Sequence, residues 1–367
     1  MLRYLIIGDS IAGNSAAARV RSLDPAGSLI IVSAEQNPYY SRCALMYYAM
    51  GRCSRRDITL ADPAYLRRLR VEVIHDRASA VDTVRHIVKL ESGDSIEYDR
   101  LLIATGAGPR KLGVPGENAG GVHSFTTLED ATRIMREADT CRRAAVVGGG
   151  MIGIEVVEVL TELGLSCDFF IREPYSHHSF ISREQSEIIQ RRITQRGVSL
   201  HVGRTISRVE TGPSGRVTTV VDSAGRRHQC DLLVRAVGTE PAIEFLREGG
   251  VATDRGVLVD ERMKNPAEDV WAAGACAELR GSGAEGTTVC SLWHVAQSQG
   301  WVAGENMAGG SARYRPPVPP RAAMFLDLDF CAYGDMPDAR PGLHEHSITA
   351  VNGLDSAMLV HDGQRVV

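Results

Sequence analysis

A glycine-rich turn occurs twice in this chain of 367 residues, each time after a short apolar strand and before a helix of small residues. The first copy runs from Leu5 to Gly13 and the second from Ala145 to Gly153. In this context glycines permit a tight turn, so that the N–H groups at a helix N-terminus can face a pyrophosphate. Two such loops predict an α/β protein that binds two dinucleotides. FAD and NAD(P)H are the simplest pair that can exchange a hydride.

Composition narrows the classes of protein that this chain can belong to. Its formal net charge of −4 argues against nucleic acid as the main partner. No apolar run approaches the roughly 20 residues that a membrane span needs. Met1-Leu2-Arg3 leads directly into a strand, so we expect a cytoplasmic protein with no signal peptide and no membrane partner. The eight cysteines are scattered without a CxxC motif, so the sequence predicts neither a metal site nor an iron–sulfur cluster.

Further strands and helices can be placed between the two loops and after them. A second strand is predicted to end at Val32, and Glu35 just beyond it can bind the ribose hydroxyls of an adenosine. Residues 38–53 are predicted to be helical after a proline, and residues 71–100 to form short antiparallel strands. The final segment, residues 322–367, has a β-rich pattern.

Several motifs follow one another in a fixed order along residues 1 to about 310. They are Gly8–Gly13 with Glu35, Ala104-Thr105-Gly106, Gly148–Gly153 with Glu155, and Ala272 to Glu278. In this order they resemble the FAD-dependent pyridine nucleotide–disulfide oxidoreductase superfamily. The resemblance is to the branch that holds rubredoxin and ferredoxin reductases, the nitrite reductase flavin module, NADH oxidases and coenzyme A disulfide reductases. One glycine motif alone would be weak support, whereas the ordered set is specific.

The resemblance implies two Rossmann-like domains, with the NAD(P) domain inserted into the FAD domain. FAD is then expected on residues 1–110 and 240–312, NAD(P)H on residues 111–239, and a short β-rich interface domain on residues 322–367. A homo-oligomer is implied as well, and a place as one subunit of a complex is the alternative considered below. The residues expected to contact the cofactors are Gly8, Ser10, Ala12, Gly13, Glu35, Arg42, Ala104, Thr105, Gly106, Gly148, Gly150, Ile152, Gly153, Arg172, Gly238, Gly274, Ala275 and Trp293.

Two residues depart from the family pattern in the FAD site. Ser10 replaces the second glycine of the first loop, and a serine is small enough for the turn and offers a hydroxyl to a phosphate. Ala275 stands where the family usually carries an aspartate that hydrogen-bonds the ribityl chain of FAD. Loss of a charge-assisted hydrogen bond costs about 1.5–3 kcal/mol. We therefore expect FAD binding to be weaker by about 10- to 100-fold.

The nucleotide preference of the second loop stays open at the level of sequence. The acid expected after its second strand falls on Ile171, and Arg172 follows. A missing acid removes a partner of the ribose 2′-OH, and a nearby arginine can accept a 2′-phosphate, which favours NADPH. Glu173 lies close enough along the chain to serve NADH instead.

Cys43 lies where coenzyme A disulfide reductases and NADH oxidases keep one redox cysteine beside the flavin. A cysteine at a helix N-terminus next to Arg42 is expected to have a lowered pKa. A thiolate there can attack a disulfide, a peroxide or a persulfide. The alternative is a small apolar residue that packs beside FAD. Ile11 stands where the oxidase and peroxidase members carry a histidine, which disfavours peroxide chemistry.

Two other residues have both a functional and a structural interpretation. Glu155 is predicted in the first turn of the helix after the second loop, where the family places a glutamate near flavin and nicotinamide. A partner of the helix dipole is an equally good interpretation. Trp293 opens the helix after the Ala275 motif, where packing beside the flavin is favoured over chemistry.

The sequence therefore predicts a flavoenzyme that takes a hydride from NAD(P)H and passes the electrons on, with Cys43 and Glu155 as candidate catalytic residues. The first expectation for the acceptor is an electron-carrier protein or a partner subunit. The alternative is a disulfide or persulfide reductase, or an NADH oxidase, that uses Cys43. A third interpretation is a flavin-poor structural subunit of a larger redox complex, because Ala275 weakens the FAD site and the C-terminal domain is short.

Overall fold

The structure is a computed structural model that describes residues 1–176, 181–281, 287–316, 321–333, 342–349 and 356–361. The chain divides into two compact units. The first unit comprises Met1–Ala44, Ser54–Gly108 and Thr239–Pro317. The second comprises Leu45–Cys53, Pro109–Gly238 and Val318–Val367.

The helices and strands of the described residues alternate over most of the chain. The α-helices are α1 (Ile11–Leu23), α2 (Leu45–Ala49), α3 (Arg55–Ile58), α4 (Pro63–Leu69), α5 (Leu128–Ala138), α6 (Met151–Glu162), α7 (Arg183–Gln195) and α8 (Trp293–Met307), with 3-10 helices at Arg42–Ala44 and Glu244–Leu246. The strands of the first half are β1 (Arg3–Ile7), β2 (Ser28–Ser33), β3 (Glu72–His75), β4 (Ala78–Asp82), β5 (Ile87–Leu90), β6 (Ser95–Glu97), β7 (Arg100–Ile103), β8 (Ala107–Pro109), β9 (Val122–His123), β10 (Arg143–Val147) and β11 (Ser166–Ile171). The remaining strands are β12 (Ser199–Val202), β13 (Ile206–Thr211), β14 (Val217–Asp222), β15 (Arg227–Gln229), β16 (Leu232–Arg235), β17 (Thr239–Pro241), β18 (Val257–Val259), β19 (Val270–Ala272), β20 (Ala277–Arg280), β21 (Thr287–Val289), β22 (Arg321–Phe325), β23 (Leu328–Ala332), β24 (His344–Thr349) and β25 (Ser356–His361).

The first unit is built on a parallel sheet of strand order β19-β7-β1-β2-β3. Residues Tyr4 to Ile7 of β1 are buried because the strand is central and both faces of the sheet are covered. Helices α1 and α8 cross closely on this sheet. A side chain at Gly300 would overlap the carbonyl oxygen of Ala12, and only glycine lets the two helices approach so far.

The second unit repeats this plan with a parallel sheet of order β12-β11-β10-β16-β9. An antiparallel meander, β13-β14-β15, supplies the other side of one core. Val147 and Phe170 of the sheet and Val220 of the meander are buried in that core. The two parallel sheets confirm the α/β class predicted from the duplicated loop.

The C-terminal segment of the second unit contains two antiparallel hairpins, β22–β23 and β24–β25. Residues 334–341, 350–355 and 362–367 of the predicted C-terminal domain lie outside the described residues. None of the helices in the described part of the chain combines the length and apolar character that crossing a bilayer requires.

The prediction of a helix over residues 38–53 is wrong. The Ser41 N–H donates to the Ile58 carbonyl over 2.8 Å, and the Leu60 N–H donates to the Tyr39 carbonyl over 2.9 Å. These long-range bonds, with a β-bridge between Tyr40 and Thr59, hold the start of the segment extended. The helical part is a 3-10 turn followed by the short α2. Tertiary pairing has overridden local propensity here.

Candidate dinucleotide-binding sites

The first glycine-rich turn lies at the carboxyl end of β1 and leads directly into α1. Gly8 has a φ of +121°, its N–H donates to the Val32 carbonyl over 2.9 Å, and a side chain there would overlap the Ala104 carbonyl oxygen. A side chain at Gly13 would overlap the carbonyl oxygen of Gly8 itself. Both positions therefore require glycine for the close contacts between the turn, the helix and the neighbouring strand.

The N-terminus of α1 has no side-chain cap. Ser10 is the residue that begins the helix, with an extended backbone at φ −136°, and its hydroxyl makes no capping hydrogen bond. Its carbonyl accepts the Asn14 N–H over 2.9 Å, which is the first bond of the helix. The N–H groups of the first turn and the Ser10 hydroxyl are thus left for another acceptor, and a phosphate fits that arrangement.

Polar atoms buried in the first unit also fit a large polar ligand. The Asn14 side chain is 2% exposed, and its Nδ2 donates to Asp9 Oδ1 over 2.7 Å and to the Ser10 carbonyl over 3.0 Å. Burial raises the pKa of Asp9. Within the described residues, Asn14 Oδ1 and His294 Nε2 are buried without a hydrogen-bond partner. Buried polar atoms are rarely left unsatisfied, so these two support the binding of a polar group in this unit.

The carboxylate of Glu35 lies just beyond the end of β2, where the sequence predicts a ribose-binding acid. Its Oε2 accepts a hydrogen bond from the Tyr40 hydroxyl over 2.7 Å, and its Oε1 forms an ion pair with Arg42. The Arg42 guanidinium lies over the Tyr40 ring, 5.3 Å from its centroid. These contacts fix the Glu35 side chain while leaving carboxylate lone pairs for a ribose hydroxyl.

The Ala104-Thr105-Gly106 motif follows β7 and redirects the chain. Gly106 has a φ of +69°, and its carbonyl accepts the Ala242 N–H over 3.0 Å. The Thr105 hydroxyl donates to the Ala242 carbonyl over 2.8 Å. The threonine hydroxyl therefore stabilises the return of the chain at Ala242, while Ala104 is buried beside the Gly8 turn.

The motif around Ala275 joins β19 to β20 in the first unit. Gly274 has a φ of +82°, and its N–H donates to Oε1 of the buried Gln299 over 2.8 Å. Ala275 is half-buried, and Ala12 packs against Gly274 rather than facing solvent. Trp293 is also half-buried and begins α8, whose N-terminus has no side-chain cap. Gln299 was not singled out from the sequence, and an amide inside a helix gave no signal for it.

The second glycine-rich turn has nearly the same backbone geometry as the first. Gly148 has a φ of +119°, its N–H donates to the Phe170 carbonyl over 2.9 Å, and a side chain there would overlap the Ala236 carbonyl oxygen. A side chain at Gly153 would overlap the carbonyl oxygen of Gly148. Gly238, after β16, has a φ of +103° and corresponds in position to Gly106 after β7.

The start of α6 is open in the same way as the start of α1. Gly150 precedes the helix with φ −88°, and a Cβ placed on it would meet nothing within 4 Å. Its carbonyl accepts the Ile154 N–H over 3.2 Å, and Ile152 is half-buried in the first turn. The space in front of Gly150 fits the close approach of a pyrophosphate to the helix N-terminus.

The residues after β11 decide which ribose the second loop can recognise. Ile171 is fully buried and fills the space beside Gly149, where a Cβ would lie 2.6 Å from Ile171 Cγ2. The Arg172 side chain is 79% exposed and pairs with the Glu173 carboxylate over 2.7 Å. Glu173 is much less exposed than Arg172. The strand end therefore presents a carboxylate and a guanidinium side by side.

Glu155 is the fifth residue of α6, so the prediction that it lies in the first turn is wrong. Gly150 is the N-cap residue and α6 begins at Met151, so the first turn of the helix contains no acidic residue. Burial, with a smaller contribution from Glu158, raises the pKa of Glu155 to about 7. Glu155 lies beyond the first turn of α6, so it is not placed to interact with the dipole of that turn. A carboxyl group with this pKa can instead hold or release a proton near neutral pH.

Glu158 lies one turn after Glu155 and was missed from the sequence. Its side chain is 2% exposed, and its Oε2 accepts the Leu326 N–H over 2.9 Å. Arg52 lies 3.6 Å from its other carboxylate oxygen. Burial raises the pKa of Glu158, opposed by these two partners. Glu155 and Glu158 are three residues apart and therefore lie on one face of α6, and this spacing was the sequence pattern that pointed to Glu158.

Cys43 is exposed in the 3-10 turn Arg42–Ala44, in the first unit. The structure contradicts the expectation that a regular helix begins at this residue, because α2 begins later and contains only Leu45–Ala49. Arg42, the expected source of positive charge, forms an ion pair with Glu35. The 3-10 turn leads directly into α2, and the exposure of Cys43 is compatible with thiol chemistry.

The comparisons with known proteins show the family to which the chain belongs. Residues 2–300 match the family model described as pyridine nucleotide-disulphide oxidoreductase. The chain is 30% identical over 320 residues to the NADH-dependent phenylglyoxylate dehydrogenase subunit epsilon of Aromatoleum evansii, which covers 86% of this chain and 75% of that protein. It is 25% identical over 340 residues to the NADH-rubredoxin oxidoreductase of Clostridium acetobutylicum, covering 92% and 83% of the two chains.

A solved structure has the same fold. The ferredoxin reductase from Rhodopseudomonas palustris aligns with a TM-score of 0.91 and 24% identity, over 100% of this chain and 90% of that one. Together these matches confirm the resemblance that the ordered motifs predicted and the architecture of two Rossmann-like units.

Proposed function

Because the chain belongs to the pyridine nucleotide-disulphide oxidoreductase family and is an FAD-dependent NAD(P)H oxidoreductase, we propose that it moves electrons from NADH to a redox protein or a partner subunit. One observation carries the proposal: two loops of equal geometry, one in each unit, both open onto a helix N-terminus without a side-chain cap. Each is suited to one pyrophosphate, so the chain holds two different dinucleotides.

In this proposal the residues of the first unit hold FAD. The Gly8–Gly13 turn and the α1 N-terminus bind the pyrophosphate, and Glu35 accepts hydrogen bonds from the adenosine ribose. FAD, when bound, supplies the chemistry that accepts a hydride from the nicotinamide and releases electrons onward. Asn14 and the buried Nε2 atom of His294 contribute polar atoms to the ligand, and Glu155 holds a proton that titrates near pH 7.

The proposed donor is NADH, held by the second unit. Gly148, Gly150 and Gly153 bind its pyrophosphate at the α6 N-terminus, and Glu173 accepts the ribose 2′-OH. The ion pair with Glu173 reduces the charge that Arg172 can offer to a 2′-phosphate. Both relatives named above carry NADH in their names, which supports this preference.

The proposed acceptor is a protein. One relative is a reductase of rubredoxin and another is a subunit of a dehydrogenase, which supports either a separate carrier or a partner subunit. The test is NADH-driven turnover of the FAD-loaded protein with rubredoxin, a [2Fe–2S] ferredoxin, glutathione disulfide and dioxygen as acceptors. We expect one of the two proteins to be reduced fastest. Fastest turnover with the disulfide or with dioxygen would contradict the proposal.

Thiol chemistry at Cys43 is the second candidate, favoured by the exposure of this residue. A Cys43→Ser variant separates the two candidates, because the loss of the sulfur removes attack on a disulfide or persulfide and leaves transfer to a protein acceptor intact. A matched Cys331→Ser variant replaces another exposed cysteine. If Cys43→Ser turns over every acceptor at the rate of the unaltered protein, the thiol mechanism is excluded.

The interpretation as a flavin-poor subunit and the expected homo-oligomer are tested on the same sample. Light scattering during size-exclusion chromatography gives the mass, and visible absorbance gives the FAD content of each peak. We propose a homo-oligomer with one FAD in each chain. A monomer that binds no FAD even at saturating FAD would favour a structural subunit instead.

A further inference from the structure

We propose that Asp168, His201 and His228 form a binding site for a divalent transition-metal ion in the second unit. The residues lie far apart in the sequence, on β11, β12 and β15. The parallel pairing of β11 with β12 places His201 opposite Phe170, two residues along the strand from Asp168 and on the same face. The meander brings His228 to that face. A metal ion here would join the parallel sheet to the meander.

The distances between the donor atoms suit one shared ion. Nε2 of His201 lies 2.7 Å from Oδ1 of Asp168, and Nδ1 of His228 lies 3.9 Å from the same oxygen. One donor atom from each residue lies within 4.8 Å of the other two. Ligands at about 2.0–2.1 Å from a tetrahedral Zn²⁺ are separated from each other by roughly 3.4 Å. The distances from Oδ1 bracket that value, so side-chain rotations suffice to close the site.

A second carboxylate orients His228 for this purpose. Nε2 of His228 lies 3.3 Å from Oδ2 of Asp222. Asp222 is 2% exposed, and its Oδ1 accepts the N–H groups of Ala224 and Arg226 over 2.8 and 2.9 Å. A buried carboxylate that receives the proton of one ring nitrogen leaves the other nitrogen, Nδ1, as a lone-pair donor toward Asp168. This is the arrangement found behind histidines that bind metals.

Packing holds the two imidazoles in place. Phe170 stacks on His201 with ring centroids 4.6 Å apart, and meets His228 edge-on at 4.9 Å. The side chains of Asp168, His201 and His228 are 26%, 24% and 13% exposed, so an ion can enter but is largely removed from water on binding. Two carboxylates and two imidazole rings provide oxygen and nitrogen donors for a cation in this pocket.

The donor set indicates the class of metal and its role. Two imidazoles and one carboxylate suit Zn²⁺ or a similar first-row ion, with the remaining position left for water. Asp168 lies three residues before Ile171, about 10 Å along an extended strand from the end that faces the nucleotide. At that distance the ion would link the sheet to the meander and lie apart from hydride transfer.

The test is calorimetric titration of the FAD-loaded, chelator-treated protein with ZnCl₂. We expect one binding event with a Kd on the order of 1 µM or lower, and a higher melting temperature with Zn²⁺ because only the folded chain has the site. His201→Gln and His228→Gln are expected to weaken this event by at least about 100-fold, and Asp222→Asn by about 10- to 100-fold. The rate of flavin reduction by NADH is expected to stay unchanged.

His346→Gln provides the matched control. His346 and His361 form an exposed pair on β24 and β25, with their Nε2 atoms 3.1 Å apart, and could bind Zn²⁺ adventitiously. The tight event should survive in this variant. Absence of Zn²⁺ binding by the unaltered protein, or equal binding by His201→Gln, would overturn the proposal and leave a hydrogen-bonded histidine–aspartate cluster.

A second measurement does not depend on the variants folding. Crystals of the unaltered protein grown with Zn²⁺ and measured at the zinc absorption edge locate the ion directly. An anomalous peak among Asp168, His201 and His228 supports the site. A peak confined to His346 and His361, or to a cysteine, contradicts it.

Discussion

The two glycine-rich loops share a backbone and differ in the residues that follow it. Gly8 and Gly148 have φ angles of +121° and +119°, and each donates its N–H over 2.9 Å to the strand that pairs beside it. Gly13 and Gly153 both lie where any side chain would overlap a backbone carbonyl. The binding of a pyrophosphate is therefore a property of the repeated turn and does not distinguish one dinucleotide from the other.

The difference lies at the ends of the second strands. After β2, the Glu35 side chain is held by Tyr40 and Arg42, so its carboxylate oxygens, which are the hydrogen-bond acceptors, have a fixed position. After β11, the position equivalent to Glu35 is Glu173, because Phe170 and Val32 accept the N–H of the first glycine of each loop and each acid lies three residues later; Glu173 pairs with the exposed Arg172. Each acid is paired with an arginine, and the two pairs differ in the arginine, because Arg42 also lies over the Tyr40 ring whereas the Arg172 side chain is 79% exposed. The residues that distinguish one cofactor from the other therefore lie after the second strand of each unit and not in the glycine-rich turn.

The largest effect is expected from a side chain at the third glycine of a loop. Gly153→Ala should abolish NADH binding, raising its Kd by more than about 100-fold, because the new methyl group would overlap the Gly148 carbonyl oxygen. FAD content should stay normal. Gly150→Ser is the matched comparison, because a Cβ there meets no atom of the protein within 4 Å and Ser10 already occupies the same place in the first loop. If Gly150→Ser raises the Kd for NADH as much as Gly153→Ala does, the two loops are not equivalent.

The next effect concerns stability and pH. Glu155 has a folded-state pKa of about 7, above the 4.5 of an unperturbed glutamate. The folded chain therefore retains a proton that the unfolded chain loses, and the stability that this proton provides falls as pH rises from about 4.5 to 7. Glu155→Gln should be more stable than the parent above pH 7, by up to about 3 kcal/mol, and equal near pH 4.5. Urea unfolding at several pH values measures this, and a difference independent of pH would contradict it.

A third change sharpens the comparison in the FAD unit. Ala275→Asp should tighten FAD binding by about 10- to 100-fold, because a charge-assisted hydrogen bond is worth about 1.5–3 kcal/mol. Ala275→Asn provides a side chain of similar size without the charge and should give a smaller gain. Fluorescence titration of FAD-free protein measures both. Equal affinities for the parent, Asp and Asn proteins would show that position 275 does not contact FAD.

The smallest effect is expected at the exposed ion pair of the second unit. Glu173→Ala should raise the KM for NADH about tenfold, the cost of one hydrogen bond to a charged group. Arg172→Ala should change the KM for NADH by less than about twofold, since its side chain is 79% exposed and paired with Glu173. Steady-state kinetics with both nucleotides distinguish the two variants. A loss of NADH use in Arg172→Ala alone would reverse the proposed preference.

The fold could be predicted because its determinants are local. Each loop follows a strand and opens a helix, and Gly8, Gly13, Gly148 and Gly153 are required by short contacts within one βαβ unit. The α/β class and the family follow from that repetition. By contrast, residues 38–53 were predicted helical because propensity carries no information on the pairing of Tyr40 with Thr59.

The sites were predictable in their backbone parts and less so in their side chains. Gln299 and Glu158 act on groups distant in sequence, the Gly274 N–H and the Leu326 N–H. The Asp168, His201 and His228 cluster depends on strand register and on the placement of the meander, so the spacing of these residues along the sequence gave no signal for it. Long-range contacts of this kind leave no periodic pattern in the sequence.

An anaerobic titration of the FAD-loaded protein with NADH, followed by visible absorbance, tests the central claim most directly. Two loops that hold FAD and NADH predict one FAD in each chain and full bleaching of the flavin by one equivalent of NADH. A chain that retains no FAD, or a bound flavin that NADH does not reduce, would contradict the account. A requirement for two equivalents that disappears in Cys43→Ser would instead place the thiol in the redox centre.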